Sequence, residues 1–308
     1  ATFVSSTPIA TWTVTVTAAA ATGAATNSSA TLRSNNAAGL LGSGTFFGGT
    51  AEGTDSQTLA TATASTTDVT PEFTLLIKQK DGTSTNLAQE SYTVQVVGEA
   101  YLAAGTTTGG VAMTAPTARP TSSNGTKYQR MATHVADSAT AVWIWSTGTA
   151  GTATITATSD GGVVLASKTV TFHGDATALA VTKTTKKVIQ SGTGTASTAA
   201  FEITATDAGG RTVLGLTPAV VSSNVAAISG GTCADAVGAV TNGVYSCDLN
   251  PVVTSTSGAA ATITIRIPDP AVTTATAAAG PYLSATYDVT MGGAVSTMVL
   301  TTDAATYE

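Results

Sequence analysis

The chain has 308 residues, of which 43% are hydrophobic, 5% aromatic and only 10% charged, with a formal net charge of −6. That length holds two to three domains with proper cores, built here on Val, Ile, Leu and Ala and solvated largely by Thr and Ser hydroxyls, as suits strands. The negative balance excludes the basic patch that nucleic acid demands, and no apolar run reaches the roughly 18–20 residues of a membrane helix.

In chain order, the N-terminus shows no basic region followed by an apolar stretch, so no signal peptide is read there, and Ala1 is compatible with a processed end or a truncation. Thr11-Trp12-Thr13-Val14-Thr15-Val16-Thr17 alternates with period two, the mark of a half-buried strand. It lies upstream of the first complete unit. Trp12, Val14 and Val16 are therefore candidates for strand exchange with a neighbouring molecule, the alternative being pairing within their own domain. The Ala-rich stretches 18–25 and 275–279 are interrupted and lack charged helix formers, so they read as loops or strand ends. Asn27-Ser28-Ser29 and Asn124-Gly125-Thr126 fit the glycosylation acceptor pattern, which makes Asn27 and Asn124 candidate sugar sites.

The chain repeats itself. Phe73-Thr74-Leu75-Leu76-Ile77, followed by Asp81-Gly82, matches Phe201-Glu202-Ile203-Thr204-Ala205, followed by Asp207-Ala208-Gly209-Gly210. Each reads as a strand running into a glycine turn. Ala153-Thr154-Ile155-Thr156 matches Ala261-Thr262-Ile263-Thr264, and Thr169-Val170-Thr171-Phe172-His173-Gly174 matches Asp288-Val289-Thr290-Met291-Gly292-Gly293. A weaker trace is Thr45-Phe46-Phe47-Gly48-Gly49, and residues 297–301 match 178–182. The interval between copies suits one immunoglobulin-like sandwich, about 100 residues. The Gly, Thr and Pro-rich residues 105–126 read as a loop insertion at a sandwich end.

Val142-Trp143-Ile144-Trp145 is apolar on both alternating faces. Trp143 and Trp145 are accordingly read three ways: buried between domains or subunits, packed in an ordinary core, or exposed as a contact strip for stacking on sugar. Lys183, Lys186 and Lys187 read as a solvated edge that discourages strand addition. Cys233 and Cys247 are the only cysteines, and the Asn242-Gly243 pair between them signals a hairpin turn. A disulfide across neighbouring strands is expected, which implies an oxidising compartment; two buried thiols are the alternative.

Catalytic patterns are missing from the sequence. His134 and His173 have no second His or Cys at ligand spacing, there is no Gly-x-Ser-x-Gly elbow, and no Asp-x-Asp-x-Asp-Gly loop. Asp160, Asp175, Asp207, Asp269 and Asp288 mostly stand beside glycine or proline as turn formers. The chain is expected not to be an enzyme and to need no cofactor. Structural calcium at a domain junction, using Asp175 or Asp207, is the one metal reading kept.

A strand, a Lys-Asp-Gly or Asp-Ala-Gly-Gly turn, a closing Thr-Val-Thr or Asp-Val-Thr strand and a Gly junction together resemble tandem bacterial Ig-like domains of surface-layer and other cell-surface structural proteins. The resemblance covers most of residues 50–308. It implies an all-β chain of tandem two-sheet sandwiches in an extracellular structural role, and it transfers no functional residue. The expected organisation is an N-terminal strand region or partial unit (1–49), two sandwiches (50–174 and 175–293), and the start of a further unit or an exchanged strand (294–308). The expected function is homo-oligomeric self-assembly into a cell-surface layer or filament. The alternatives are an adhesin or carbohydrate-binding stalk facing a cell-envelope glycan, or a viral structural or decoration protein.

Overall fold

In a computed structural model the described residues are 28–34, 61–67, 71–78, 91–106, 119–120, 128–131, 140–235 and 243–293, and every regular element among them is a β-strand. They form two Ig-like sandwiches in series. In the first, one sheet runs in the order β1 (Ser29–Ser34), β3 (Phe73–Lys78), β7 (Thr140–Ser146), β5 (Ala100–Thr106). The facing sheet runs β2 (Thr61–Thr63), β9 (Val164–His173), β8 (Gly151–Ser159), β4 (Tyr92–Gly98), β6 (Tyr128–Met131).

Alternation in the sequence becomes burial in the fold. Along β8 the side chains of Ala153, Ile155 and Ala157 are buried while Thr152 and Thr154 are exposed. The apolar faces of both sheets close on one core containing Leu75, Val94, Leu102, Val142, Ile144, Ile155 and Val170. Phe73 and Phe172 meet edge to face across it, with ring centroids 5.8 Å apart. The chain crosses from one sheet to the other between β4 and β5 through Glu99 alone. Gly98 permits this step, because its φ is +113° and a Cβ there would lie 2.1 Å from the Thr152 carbonyl oxygen.

The second sandwich is one continuous ladder folded over on itself, in the order β10 (Ala176–Thr184), β12 (Ser197–Asp207), β15 (Val244–Pro251), β14 (Ile228–Asp235), β13 (Ala219–Ser222), β16 (Ala260–Pro268), β17 (Tyr282–Gly292), β11 (Val188–Gln190). The link between its halves is slight: β13 and β14 pair only at Ala219↔Thr232 and Val220↔Gly231. Phe201, Ile203, Leu249, Ile263, Ile265 and Val289 share its core, and the rings of Phe201 and Tyr287 stand 4.6 Å apart.

The three matched sequence segments fall on equivalent strands. Phe73 opens β3 and Phe201 lies within β12, the Ala-Thr-Ile-Thr segments lie in β8 and β16, and the closing segments end β9 and β17. Each closing strand is flanked by a short parallel partner, β2 beside β9 and β11 beside β17. The ladder then ends in the same bond twice. Ala64 N–H donates to the His173 carbonyl at 2.7 Å, and Ser191 N–H donates to the Gly292 carbonyl at 2.8 Å.

Three expectations need adjusting or placing. Ser29–Ser34 lies on the N-terminal side of the expected 49/50 boundary, yet it pairs antiparallel with β3 through Ser29↔Lys78 to Ser34↔Phe73. Its few alternating residues carried too weak a pattern to be assigned. The contact strip at Trp143 and Trp145 is corrected: both residues are 0% exposed. β7 lies inside its sheet, with β3 and β5 on either side. Val142 and Ile144 fill the sandwich core, while the opposite face, with Trp143, Trp145, Thr74 (0%) and Thr31 (1%), is closed to solvent as well. The cysteines are joined: Cys233 in β14 and Cys247 in β15 stand directly opposite and are disulfide-bonded, with Cα atoms 4.1 Å apart.

Reduction of the disulfide is expected to destabilise the second sandwich by about 3 kcal/mol, the chain-entropy value for a loop of this size, read as a lower denaturation midpoint with reductant present. Trp145→Ala is expected to cost about 3–5 kcal/mol. An unchanged midpoint in that variant would return the tryptophan to a surface role.

Candidate functional site

The feature that most constrains the molecule is the junction between the sandwiches. β9 ends at His173 and β10 begins at Ala176, so only Gly174 and Asp175 connect them. A connection this short presses the pole of one sandwich against the next and buries backbone groups that must then find partners. Two side chains provide them.

Asp207 is the last residue of β12 and heads the turn Asp207-Ala208-Gly209-Gly210-Arg211. One carboxylate oxygen accepts the N–H groups of Gly209 and Arg211, each at 2.8 Å. The other reaches back to accept Gly174 N–H at 3.0 Å and the Arg211 guanidinium at 3.3 Å. Both oxygens of this carboxylate, one of those considered for calcium, are thus taken by N–H donors. Asp207 is 5% exposed. Burial alone would raise its pKa, but the N–H groups of Gly174, Arg211 and Gly209 and the Arg211 side chain outweigh that and hold the carboxyl below its ordinary 3.8.

His173 is 2% exposed. Leu214 N–H, from the loop after β12, donates to its Nε2 at 3.2 Å. Its Nδ1 stands 2.8 Å from the Gly174 carbonyl oxygen. These two contacts select one tautomer: Nδ1 carries the proton and donates, and Nε2 accepts. The ring is therefore neutral. Thr63, its parallel partner on β2, places a hydroxyl 3.4 Å from Nε2. Burial pushes the imidazole pKa below its ordinary 6.5, against the opposing pull of the Gly174 carbonyl, Asp207 and Asp175.

The surroundings are firm on both sides. On the second sandwich, Ala176, Ala205, Val213 and Ile267 form a small separate core at the junction end. On the first, Arg119 donates to the carbonyls of Ser65 and Ser146 and pairs with Glu72 at 3.5 Å, while Glu72 accepts Ser146 N–H at 3.3 Å. This ties the segments after β2 and β7 together at the pole that carries His173.

Of the residues singled out in the sequence, Cys233 and Cys247 join β14 to β15, and Trp143 and Trp145 lie on β7. Trp12, Val14, Val16, Asn27 and Asn124 lie outside the described residues, as does His134. The Lys183 ammonium pairs with Glu202 at 2.8 Å on the exposed edge strand, and Lys186 donates to the Thr198 carbonyl at 2.6 Å. The junction set itself was only half legible. His173 stood beside a junction glycine and Asp207 headed a turn, but the bonds from Gly174 to Asp207 and from Leu214 to His173 span 33 and 41 positions.

No family model matches the chain, and no curated protein matches it. Among solved structures it is similar to FdeC, an adhesin of Escherichia coli, at 15% identity over 90% of this chain and 66% of that one, with a TM-score of 0.32. A glycosyl hydrolase family 2 member from Bacteroides cellulosilyticus is similar at 12% identity over 74% of this chain and 26% of that one, with a TM-score of 0.31. A tandem pair of titin Ig domains is similar at 10% identity over 66% of this chain and 98% of that one, with a TM-score of 0.26. At these scores the likenesses transfer neither a role nor a residue to this chain.

Asp207→Ala strips four donors of their acceptor at once and is expected to cost about 2–3 kcal/mol. Asp207→Asn, which retains one acceptor oxygen, should cost less. Equilibrium denaturation in urea checks the order of the two variants.

Proposed function

We propose that this chain is an extracellular structural element of a cell surface, built to hold a fixed spacing and to assemble with copies of itself into a layer or filament. The observation that carries the reading is the two-residue junction, at which the sandwiches are joined by a partly buried hydrogen bond between Gly174 and Asp207 and a buried one between Leu214 and His173. A flexible string of binding modules would not need such bonds, whereas a rod that sets distance does.

Three further features support it. The disulfide suits an oxidising compartment. With charged residues at 10%, like-charge repulsion between packed copies is small. In each sandwich a strand near the entry runs parallel to the exit strand, β2 with β9 and β11 with β17. Tension along the chain therefore loads the bonds of each parallel pair together instead of one after another. A carbohydrate-binding role loses the tryptophan strip, since Trp143 and Trp145 are closed to solvent, and would rest on the loop of residues 105–126, most of which lies outside the described residues.

Purified chain concentrated at neutral pH and imaged by electron microscopy is expected to give sheets, tubes or filaments, and sedimentation should show mass rising with concentration. A monodisperse monomer under every condition would overturn the assembly reading. Specific capture by a glycan array from such a monomer would favour the stalk.

A further inference from the structure

The contact at Nε2 has a chemical consequence. A neutral imidazole can accept the Leu214 N–H only while Nε2 is bare, and the 3.2 Å contact is buried. Protonation puts a hydrogen on Nε2. Donor then faces donor across a buried contact. Nδ1 is already committed to the Gly174 carbonyl at 2.8 Å, so the ring has no second acceptor to offer. We propose that His173 is an acid-released latch: above its titration it pins the Leu214 loop of the second sandwich to the last strand of the first, and on protonation it lets the two sandwiches swing about Gly174 and Asp175.

The charged groups around the ring do not rescue the bond. Asp207, at the end of β12, is already filled by Gly174, Gly209 and Arg211, and the Arg211 guanidinium on that carboxylate offsets its charge. Asp175 lies in the connection itself and, with Asp207, stabilises an imidazolium electrostatically, doing so without restoring an acceptor for Leu214. From β2 the neighbour is the Thr63 hydroxyl, which is neutral. The direction of the pH effect follows. A His173 held below 6.5 when latched regains its ordinary affinity for protons when released, so the released state binds more protons in the interval between the two values. The latch is at full strength above about pH 6.5 and weakens as pH falls toward the depressed value. Asp207 adds a separate step, present above 3.8 and lost as pH falls through its own lowered value.

Latch and assembly are independent, since the first concerns one chain at any concentration. The test is a distance measurement within the full chain. Spin labels at Thr169→Cys and Thr286→Cys, both on exposed strand positions, report the separation of the sandwiches in dilute frozen samples. The expected result is a narrow distribution at about pH 7.5 that becomes broader at about pH 5, reversibly and with unchanged far-ultraviolet circular dichroism. In the His173→Gln background the distribution should be the same at both pH values, whatever its width. Should that variant fail to fold, the nitrogen shifts of His173 in the unaltered chain decide: Nδ1 protonated, Nε2 bare and a midpoint below 6.5 are expected. A distribution that ignores pH, a broadening that persists in His173→Gln, or a midpoint at or above the ordinary value would each overturn the latch.

Discussion

Gly174 and Asp175 are too short a bridge to let two sandwiches stand apart, and much of the chain's polar chemistry answers to that constraint. Closing the poles together removes water from the N–H groups of Gly174 and Leu214, and each unpaired group would cost about 1–3 kcal/mol. Gly174 is met by a carboxylate and Leu214 by an imidazole nitrogen. Both acceptors must hold one protonation state: Asp207 ionised and His173 neutral. The connection contributes to both pKa directions, through the burial of His173 and through the Gly174 N–H on Asp207. A longer linker would remove the Gly174 bond, while the bonds from Gly209 and Arg211 within its own turn would still hold the Asp207 carboxyl low.

The two sandwiches share topology without sharing this device. Where the first closing strand ends in His173 before Gly174, the second ends in Gly292 before Gly293. Both carbonyls accept the same N–H from the parallel strand, Ala64 in one case and Ser191 in the other. The side chain differs because the space differs. A Cβ on Gly292 would lie 2.7 Å from Cγ1 of Val188, so a larger residue there requires the Val188 side chain to shift. The ladder is therefore the repeated element, and the latch belongs to one junction.

What could be read in the sequence followed the range of each interaction. Alternation such as Thr-Ala-Thr-Ile-Thr is local, and it placed β8 and β16 on both their burial and their equivalence. The Cys233–Cys247 pairing was nearly local too, bridging strands close in the chain. Val142-Trp143-Ile144-Trp145 announced two apolar faces but not what lay against them, because burial depends on segments distant in sequence. The same limit hid β1, whose partner β3 lies some forty residues on, and the β13–β14 bridge, which rests on two residue pairs. Asp207 was legible as a turn former through its bond to Gly209 two residues on. Its second oxygen, which reaches across the junction, was not.

Self-association has to use surfaces that the fold leaves available, and the β10 edge is a poor candidate. β10 ends the ladder of the second sandwich, where an unpaired strand would normally invite a neighbour. Its pairing with β12 is broken by register shifts between Ala176 and Ala178 and again between Val181 and Lys183. Bulges twist an edge out of the plane a new strand would need, and Lys183 adds a charge that must be desolvated before strands could join. Among the described residues the large exposed apolar side chains are Val97, Val164, Val188, Val221, Val225 and Val253. Broad hydroxyl faces are available among the described residues, such as that of Thr152, Thr154 and Thr169, where the Thr154 and Thr169 oxygens lie 3.5 Å apart. Contacts made there are polar, individually weak and numerous. Assembly through them would depend on many copies held at a fixed angle, and that is the condition the closed junction supplies.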